Sequence, residues 1–263
     1  MARSTFYYHL KALGKRDRYE REKKRICEIF QESKGRYGYR RVTMQLHNEG
    51  FGINHKTVER LMKEQGLKCL IRKKRYRSYK GTIGKIAPNV LDRDFKADKP
   101  CQKLVTDVSQ IAIGDRKSFL SPVLDLFNGE VLCYDISDRA DLSQINNMLE
   151  EMFAITDKQP KDRNTMLHSD QGWQYQHKSY QDALQKHGIT QSMSRKGNCL
   201  DNSVMENFFG IMKSELLYAN DYKSMEQFKK DLKEYIEWYN NKRIKMRLKG
   251  MSPVQYRAQY LRE

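Results

Sequence analysis

The chain has 263 residues, 38% of them hydrophobic, and its 50 Lys and Arg exceed its 33 Asp and Glu by a net charge of +17. This length suits one large or two small domains, and a sequence without 18 consecutive apolar residues is not expected to cross a membrane as a helix. The start of the chain lacks the apolar stretch of a secretion signal, and the five cysteines lie far apart without a CxxC pair, so we expect reduced thiols in a cytoplasmic protein.

The positive charge is concentrated at one end of the chain. Residues 1–100 contain 27 Lys and Arg against 11 Asp and Glu, whereas residues 101–263 contain 23 against 22. A concentrated cationic region is typical of proteins that bind a polyanion, most often nucleic acid. A ribosome-like RNA-binding protein and a basic solubility tail are the alternatives.

Three helices are predicted in this basic region, over 17–33, over 39–48 and from a cap at Asn54 to Gly66. The Gly-containing turn NEGFGIN joins the last two, which fits a helix-turn-helix, although many three-helix bundles share the pattern. The residues expected to contact DNA here are Arg36, Tyr37, Arg40, Arg41, His55, Lys56 and Arg60.

A strongly basic segment, LIRKKRYRSYKG, follows these helices. Six basic residues interleaved with tyrosines favour an extended arm on a phosphate backbone, and a plain basic linker is the alternative. The candidate contacts in this arm are Arg72, Lys73, Lys74, Arg75 and Arg77. Residues 81–100, with two prolines and several acids, are predicted to form a boundary.

The hydrophobic pattern changes at residue 103 from helical to alternating. KLVTDVSQIAI and SFLSPVLDLF are predicted strands, and the Asn128-Gly129 pair predicts a hairpin into the strand EVLCYDIS. A helix over 141–156, the strand TMLHSD, the helix YQDALQKHG, the strand ITQSMS and a last helix complete the order β-β-β-α-β-α-β-α. This order predicts a mixed sheet with helices on its faces.

Three acids of this second part have positions that favour a functional site. Asp107 lies in the middle of the first strand, Asp170 ends the fourth strand, and Glu206 lies about one turn into the last helix. Converging carboxylates repel one another, and a pair of hard divalent cations, Mg²⁺ or Mn²⁺, would relieve the repulsion and support phosphoryl transfer. Each acid alone also fits a buried structural role, and Asp125 and Asp135 look equally embedded.

The last helix is expected to begin near Asn202, which with Asp201 reads as its N-cap. Glu206, Gly210 and Lys213 then share one face, because seven steps of about 100° return almost to the starting direction. A plain amphipathic helix with one solvated stripe is the alternative.

Three segments resemble the Asp-Asp-Glu transposases of bacterial insertion sequences, the group related to retroviral integrases: VTDVSQI, LHSDQGWQY and GNCLDNSVMENFFGIMKSEL. Thirty-five residues separate Asp170 from Glu206, which is the spacing of that group, and Lys213 matches its lysine. GRYGYRRVTMQLHNEGFGINHKTVERLM is similar to the family's helix-turn-helix, and YIEWYNNKRIKMRLKGMSPVQY to its C-terminal motif, so the resemblance covers about residues 35–256. The chain departs from the family at Lys245, where a histidine is usual.

The resemblance implies an α/β fold: an RNase H-like integrase core, with a mixed five-stranded sheet and helices on both faces, preceded by an α-helical helix-turn-helix region. The expected domains are a basic DNA-binding region at 1–80, a linker at 81–100, a catalytic core at 101–220 and a C-terminal helical extension at 221–263.

The activity implied is metal-dependent cleavage at insertion-sequence ends and strand transfer into target DNA. Asp107, Asp170 and Glu206 would be the catalytic residues and the ligands of two Mg²⁺ or Mn²⁺ ions, and Lys213 would reach the transposon end. Arg195 and Lys196 are further candidates for DNA contact. The expected partners are double-stranded DNA, other copies of the chain on that DNA, and a helix-turn-helix from an upstream reading frame, fused or separate, in the nucleoid of a bacterial cytoplasm.

Two other functions fit parts of the pattern: an inactive DNA-binding regulator, and a structure-selective nuclease on the same fold. Two side chains near Asp170 also have two interpretations. His168 could orient water or metal ligands, although a satisfied structural histidine is favoured. Trp173 could stack on a flipped base, although a place in the core is favoured.

Overall fold

The computed structural model describes Arg3 and residues 17–69, 86–160 and 164–262. The chain divides into two compact units, residues 1–70 and 71–263. The predicted basic arm, with Arg72, Lys73, Lys74, Arg75 and Arg77, lies outside the described residues. Among the helices of the described ranges, none has the length and hydropathy needed to cross a membrane.

The described residues of the first unit form three helices: α1 (Glu20–Glu32), α2 (Tyr39–Asn48) and α3 (His55–Glu64). Each turns apolar residues toward a shared interior, in which Ile26, Val42 and Leu61 are completely buried. The turn between α2 and α3 uses the positive φ of Gly50, 86°, which glycine adopts without strain. The Asn54 side chain caps α3 by accepting a hydrogen bond from its first turn. The three predicted helices are confirmed.

A mixed β-sheet forms the centre of the second unit. Its strands are β1 (Lys103–Thr106), β2 (Ser109–Ile113), β3 (Arg116–Asp125), β4 (Val131–Ser137), β5 (Met166–Ser169) and β6 (Thr190–Met193). β3 runs antiparallel to β1, β2 and β4, whereas β1, β5 and β6 are parallel. β1 and β2 both pair with β3 and are the halves of one predicted strand, interrupted at Asp107 and Val108. The six strands therefore occupy the five predicted positions, in the order β4-β3-(β1, β2)-β5-β6.

Helices cover both faces of this sheet, as predicted. They are α4 (Leu142–Thr156), α5 (Lys178–Lys186), α6 (Ser203–Met212) and α7 (Met225–Asn241), and α6 continues through a π-helical turn at Lys213–Leu217. The last helix, α8 (Pro253–Tyr260), packs against α7. Successive strand residues point to opposite faces. Leu104 of β1 accordingly packs in one apolar core with Met148 of α4, and Val105 in a second core with Phe208 of α6.

The segments on either side of the sheet region also pack on this unit. Leu91 is buried in the core beside α6, and its amide donates to the Ser192 hydroxyl at 3.1 Å. Phe228 and Leu232 of α7 are completely buried in the same core. Residues 86–100 and α7 thus help to hold α6, while the domain limits at 80, 100 and 220 stay predictions.

Candidate active site

The pairing of β1 with β5 brings two of the predicted acids side by side. These strands are parallel neighbours, with Val105 opposite His168. Two residues further along each strand, the same register places Asp107 beside Asp170 at the carboxyl edge of the sheet. Neighbouring strands lie about 4.8 Å apart. This edge is where open α/β sheets commonly gather functional groups.

Asp107 lies at the interruption between β1 and β2. Its Oδ1 accepts a hydrogen bond from the Val108 amide at 2.7 Å, and its Oδ2 accepts one from Asn202 Nδ2 at 2.9 Å. Burial, together with the negative charges of Asp170 and Glu206, raises the pKa of Asp107 well above its ordinary value. The carboxylate is therefore costly to ionise unless a cation approaches.

Asp170 follows β5 directly and is held by the turn after it. Its Oδ1 accepts the Gly172 amide at 2.8 Å, and burial raises its pKa although this hydrogen bond opposes the shift. A Cβ at position 172 would lie 2.9 Å from Asp170 Oδ1 and 2.7 Å from Gln174 Nε2. Glycine is thus required for the close approach of the turn to the carboxylate.

Glu206 and Lys213 approach Asp107 from α6 and the turn after it. Glu206 is half-buried in the first turn of α6, and its charge contributes to the raised pKa of Asp107. Lys213 begins the π-helical turn, and burial lowers its pKa while the Asp107 carboxylate opposes that shift. α6 and the turn after it thus bring the charges of Glu206 and Lys213 toward Asp107, and the roles expected of both side chains stay predictions.

The donor set suits a hard divalent cation, because carboxylate oxygens are the ligands that Mg²⁺ and Mn²⁺ prefer. Asn202, whose Nδ2 bonds to Asp107, has its Oδ1 atom buried without a hydrogen-bond partner. Across the described ranges, no three His, Cys, Asp or Glu side chains stand close enough to hold a metal as they are arranged. The acids therefore fit a cation chemically, and binding would require them to draw together.

Two other acids that the sequence left open have structural explanations. Asp125 is completely buried and accepts hydrogen bonds from the amides of Cys101 and Phe127. Asp135 is half-buried on β4, two sheet positions away from β1. Neither belongs to the edge where β1 and β5 end.

The interpretation favoured for His168 agrees with the structure, whereas the one favoured for Trp173 does not. The His168 ring is completely buried, and its nitrogens lie 2.8 and 3.2 Å from the hydroxyls of Ser192 and Ser194, so it is the satisfied structural histidine that the sequence favoured. Burial lowers its pKa to about 4 and keeps it neutral. Trp173 is 54% exposed, so the favoured place in the core was wrong. The short 3₁₀ turn that begins at Trp173 leaves its ring outside while burying Tyr175.

The loop before α6 holds the two further candidates for DNA contact. Arg195 is exposed, but its guanidinium makes a two-pronged ion pair with the buried Asp201 at 2.9 and 3.0 Å. Lys196 is exposed. Asn202 occupies the N-cap position of α6, as predicted, but its side chain makes no capping bond and reaches Asp107 instead. The sequence pattern indicated a helix cap at Asn202 but not the bond from Asn202 to the distant Asp107.

In the first unit, the candidate DNA contacts fall into two groups. Arg36 and Tyr37 are buried, which leaves them little surface for a ligand. The exposed or half-buried ones are Arg40, Arg41, His55, Lys56 and Arg60. Arg40 lies over the Tyr39 ring, and Arg60 pairs with Glu64, so part of this basic surface is already ordered.

Known protein families match both units. The HTH-like domain family matches residues 17–75, and the integrase core domain family matches residues 97–199 and 206–261. InsK of Escherichia coli (strain K12), named as a transposase for insertion sequence element IS150, is 55% identical over 257 residues, which are 98% of this chain and 90% of InsK. The chain belongs to the insertion-sequence transposases with an integrase core.

Two further similarities agree with this membership. A transposase-like protein of Haemophilus influenzae is 46% identical over 213 residues, covering 81% of this chain and 97% of that protein. A chain of the simian T-cell lymphotropic virus intasome shares the fold, with a TM-score of 0.51 and 15% identity over 88% of this chain and 74% of its own length. This transposase is an enzyme of the polynucleotidyl transferase type that acts on DNA, and its core family is metal-dependent.

Proposed function

We propose that Asp107, Asp170 and Glu206 are the catalytic acids of this transposase and hold two divalent ions, Mg²⁺ or Mn²⁺. The observation that carries the proposal is the register of β1 against β5, which puts Asp107 and Asp170 at the same sheet edge. The raised pKa values of both aspartates support it, because a bound cation would offset their repulsion. Metal ions bound there would supply activation of the attacking oxygen and stabilisation of the leaving oxygen.

Other residues at this edge of the sheet hold the aspartates in place or contact DNA. Val108, Gly172 and Asn202 hold the aspartates by hydrogen bonds, and Lys213 reaches the transposon end with its positive charge. Trp173, exposed three residues after Asp170, faces the DNA and stacks on a base. At the element end, water attacks the phosphodiester and the freed 3′-hydroxyl then attacks target DNA, without a covalent protein intermediate.

The basic first unit binds double-stranded DNA through its exposed cations. The exposed or half-buried residues Arg40, Arg41, His55, Lys56 and Arg60 support this role, together with Lys196 of the second unit. Two element ends must be joined in one reaction, so we propose that copies of the chain assemble on DNA, with or without an upstream-frame helix-turn-helix, at the bacterial nucleoid.

Incubation of the full chain with labelled element ends and Mg²⁺ tests this proposal. We expect cleavage at the element end and joined products in added target DNA. Cleavage of many branched or flapped substrates without joined products would favour a structure-selective nuclease. Binding without any cleavage, in Mg²⁺ or in Mn²⁺, would favour a DNA-binding regulator.

A further inference from the structure

A buried carboxylate fixes the turn that leads into α6. Asp201 is 1% exposed and accepts three hydrogen bonds from Arg195, through its backbone amide, Nε and Nη2. Arg93 Nε and Asn89 Nδ2 add two more, at 2.8 and 3.0 Å. The Arg195 guanidinium is the main cause that holds the pKa of Asp201 well below its ordinary value. The turn is therefore anchored both to the end of β6 and to the segment before β1.

The next residue, Asn202, connects this anchored turn to Asp107. Asn202 Nδ2 donates to Asp107 Oδ2 at 2.9 Å, across 95 positions of sequence. The orientation of the amide is dictated by its partner, because the flipped amide would set Oδ1 against a carboxylate oxygen. The side chain is 7% exposed, so water competes little for this bond.

This bond comes at a cost to folding. Asn202 Oδ1 is buried without a hydrogen-bond partner, and a buried acceptor left unpaired destabilises a fold. Asn202 also stands at the N-cap of α6 without capping it, although a capping bond would stabilise the helix. Stabilisation of the fold therefore does not account for the arrangement.

We propose that Asn202 is a positioning residue that holds the Asp107 carboxylate at a fixed place relative to Glu206, with Asp201 anchoring the turn. Glu206 lies four residues further along the chain, in the first turn of α6. One element therefore carries Glu206 and holds Asp107, which limits how far these two acids must move to draw together around a metal. This inference rests on the proposed metal site.

The affinity of the full chain for Mn²⁺, measured by electron paramagnetic resonance, tests the inference directly. Loss of a hydrogen-bonding partner of a metal ligand typically lowers metal affinity about 10- to 100-fold. We expect Asn202→Ala and Asn202→Leu, the second keeping the side-chain volume, to weaken Mn²⁺ binding at least about tenfold. Their unfolding midpoints should not fall, because each removes the unpaired Oδ1. The matched control is Asn207→Ala, an exposed asparagine of the same helix, and it should bind Mn²⁺ as the wild type does.

A double variant separates this inference from the proposed metal site. In an Asp107→Asn background, adding Asn202→Ala should change Mn²⁺ affinity less than about twofold, because the oriented carboxylate is already gone. If Asp107→Asn binds Mn²⁺ like the wild type, the proposed metal site fails. If Asp107→Asn weakens binding but both Asn202 variants keep wild-type affinity, or lower the unfolding midpoint alone, the positioning role is overturned and the metal site stands.

Discussion

The Asp125 carboxylate is completely buried where β3 ends, and its partners are the backbone amides of Cys101 and Phe127, at 2.7 and 3.0 Å. Burial raises its pKa to about 6, because the ionised form loses its hydration. In the unfolded chain an aspartate has a pKa near ~3.9. The folded protein therefore binds this proton more tightly, and the stability it contributes is present below about pH 4 and lost as the pH rises through about 6.

Replacing Asp125 with Asn should remove this pH dependence, because an amide has no proton to lose. Relative to the wild type, the free energy of unfolding of Asp125→Asn should rise by about 2 kcal/mol between pH 4 and pH 7. Urea unfolding at a series of pH values measures the difference. Curves that stay parallel across this range would show that Asp125 titrates normally in the folded protein.

Trp173, three residues after Asp170, is 54% exposed, so its ring is available to a DNA base. Stacking of a base on an aromatic ring typically contributes about 1–3 kcal/mol. Trp173→Ala should therefore weaken binding of element-end DNA about tenfold, with little change in the unfolding midpoint, and Trp173→Tyr should retain most of the affinity. Fluorescence anisotropy of labelled ends measures both. Equal affinity of wild type and Trp173→Ala would leave the ring without a role in DNA binding.

At the scale of elements, a buried ion pair joins the π-helical turn after α6 to the chain after α7. The Arg243 guanidinium donates to both oxygens of Glu215, at 2.7 and 3.0 Å, and the Tyr235 hydroxyl donates to Glu215 Oε2 at 2.9 Å. Both charged side chains are buried. A buried pair adds little net stability, but losing one partner leaves an uncompensated charge.

Arg243→Met should accordingly lower the free energy of unfolding by about 3–5 kcal/mol, because the buried Glu215 carboxylate loses the positive charge that compensates its own. The control is the exposed pair of Arg116 and Glu226, which also joins distant segments. Glu226→Gln should cost less than about 1 kcal/mol. Chemical unfolding of both variants gives the comparison, and similar costs for the two pairs would contradict the assigned role of burial.

Lys245, which stands where the family usually has a histidine, makes its own contacts with neighbouring segments. Its Nζ donates to the Gly129 carbonyl and to the Tyr239 hydroxyl, both at 2.8 Å, and lies 4.5 Å from the centre of the Tyr239 ring. Lys245 thereby ties the chain after α7 to the turn between β3 and β4. The sequence showed the departure, but only the fold shows which backbone carbonyl receives the cation.

The helices and strands were largely predictable, because their apolar residues recur at helical or alternating spacing. In β1, for example, the neighbours Leu104 and Val105 face opposite cores. The interruption at Asp107 was not predictable, since the alternating pattern continues through it unchanged. The pairing of Asn202 with Asp107 was hidden for another reason: capping is a local rule, whereas this contact depends on how the sheet and α6 pack. Trp173 was misplaced because a large aromatic residue is usually buried.

At the scale of the whole molecule, charge asymmetry is the dominant feature of the sequence. Residues 1–100 contain 27 Lys and Arg against 11 Asp and Glu. If about six phosphates are neutralised, the affinity of the full chain for duplex DNA should fall about a thousandfold between 50 and 200 mM salt, because counterions are released on binding. Filter binding at several salt concentrations measures the slope, and a flat response would exclude phosphate contacts as the main source of affinity.

The order of the elements predicted a mixed sheet with helices on its faces, and the resemblance of three segments to Asp-Asp-Glu transposases implied the integrase-core fold and the activity of this transposase. The roles of the three acids stay predictions. The sequence could not say how close the acids stand, because that distance depends on the loop before α6. The sequence pattern did not distinguish Asp125 and Asp135 from Asp107. In the structure, Asp125 is set apart by its backbone hydrogen bonds and Asp135 by its place on β4.

The most direct test of the proposed site is Mg²⁺-dependent cleavage and strand transfer by single variants of the full chain. Asp107→Asn, Asp170→Asn and Glu206→Gln should each lose both activities, while duplex DNA binding stays within about twofold, because each removes a ligand of a shared metal pair. Asp135→Asn is the matched control and should keep substantial activity. Substantial cleavage by Glu206→Gln, with loss in Asp135→Asn instead, would show that other carboxylates carry the chemistry.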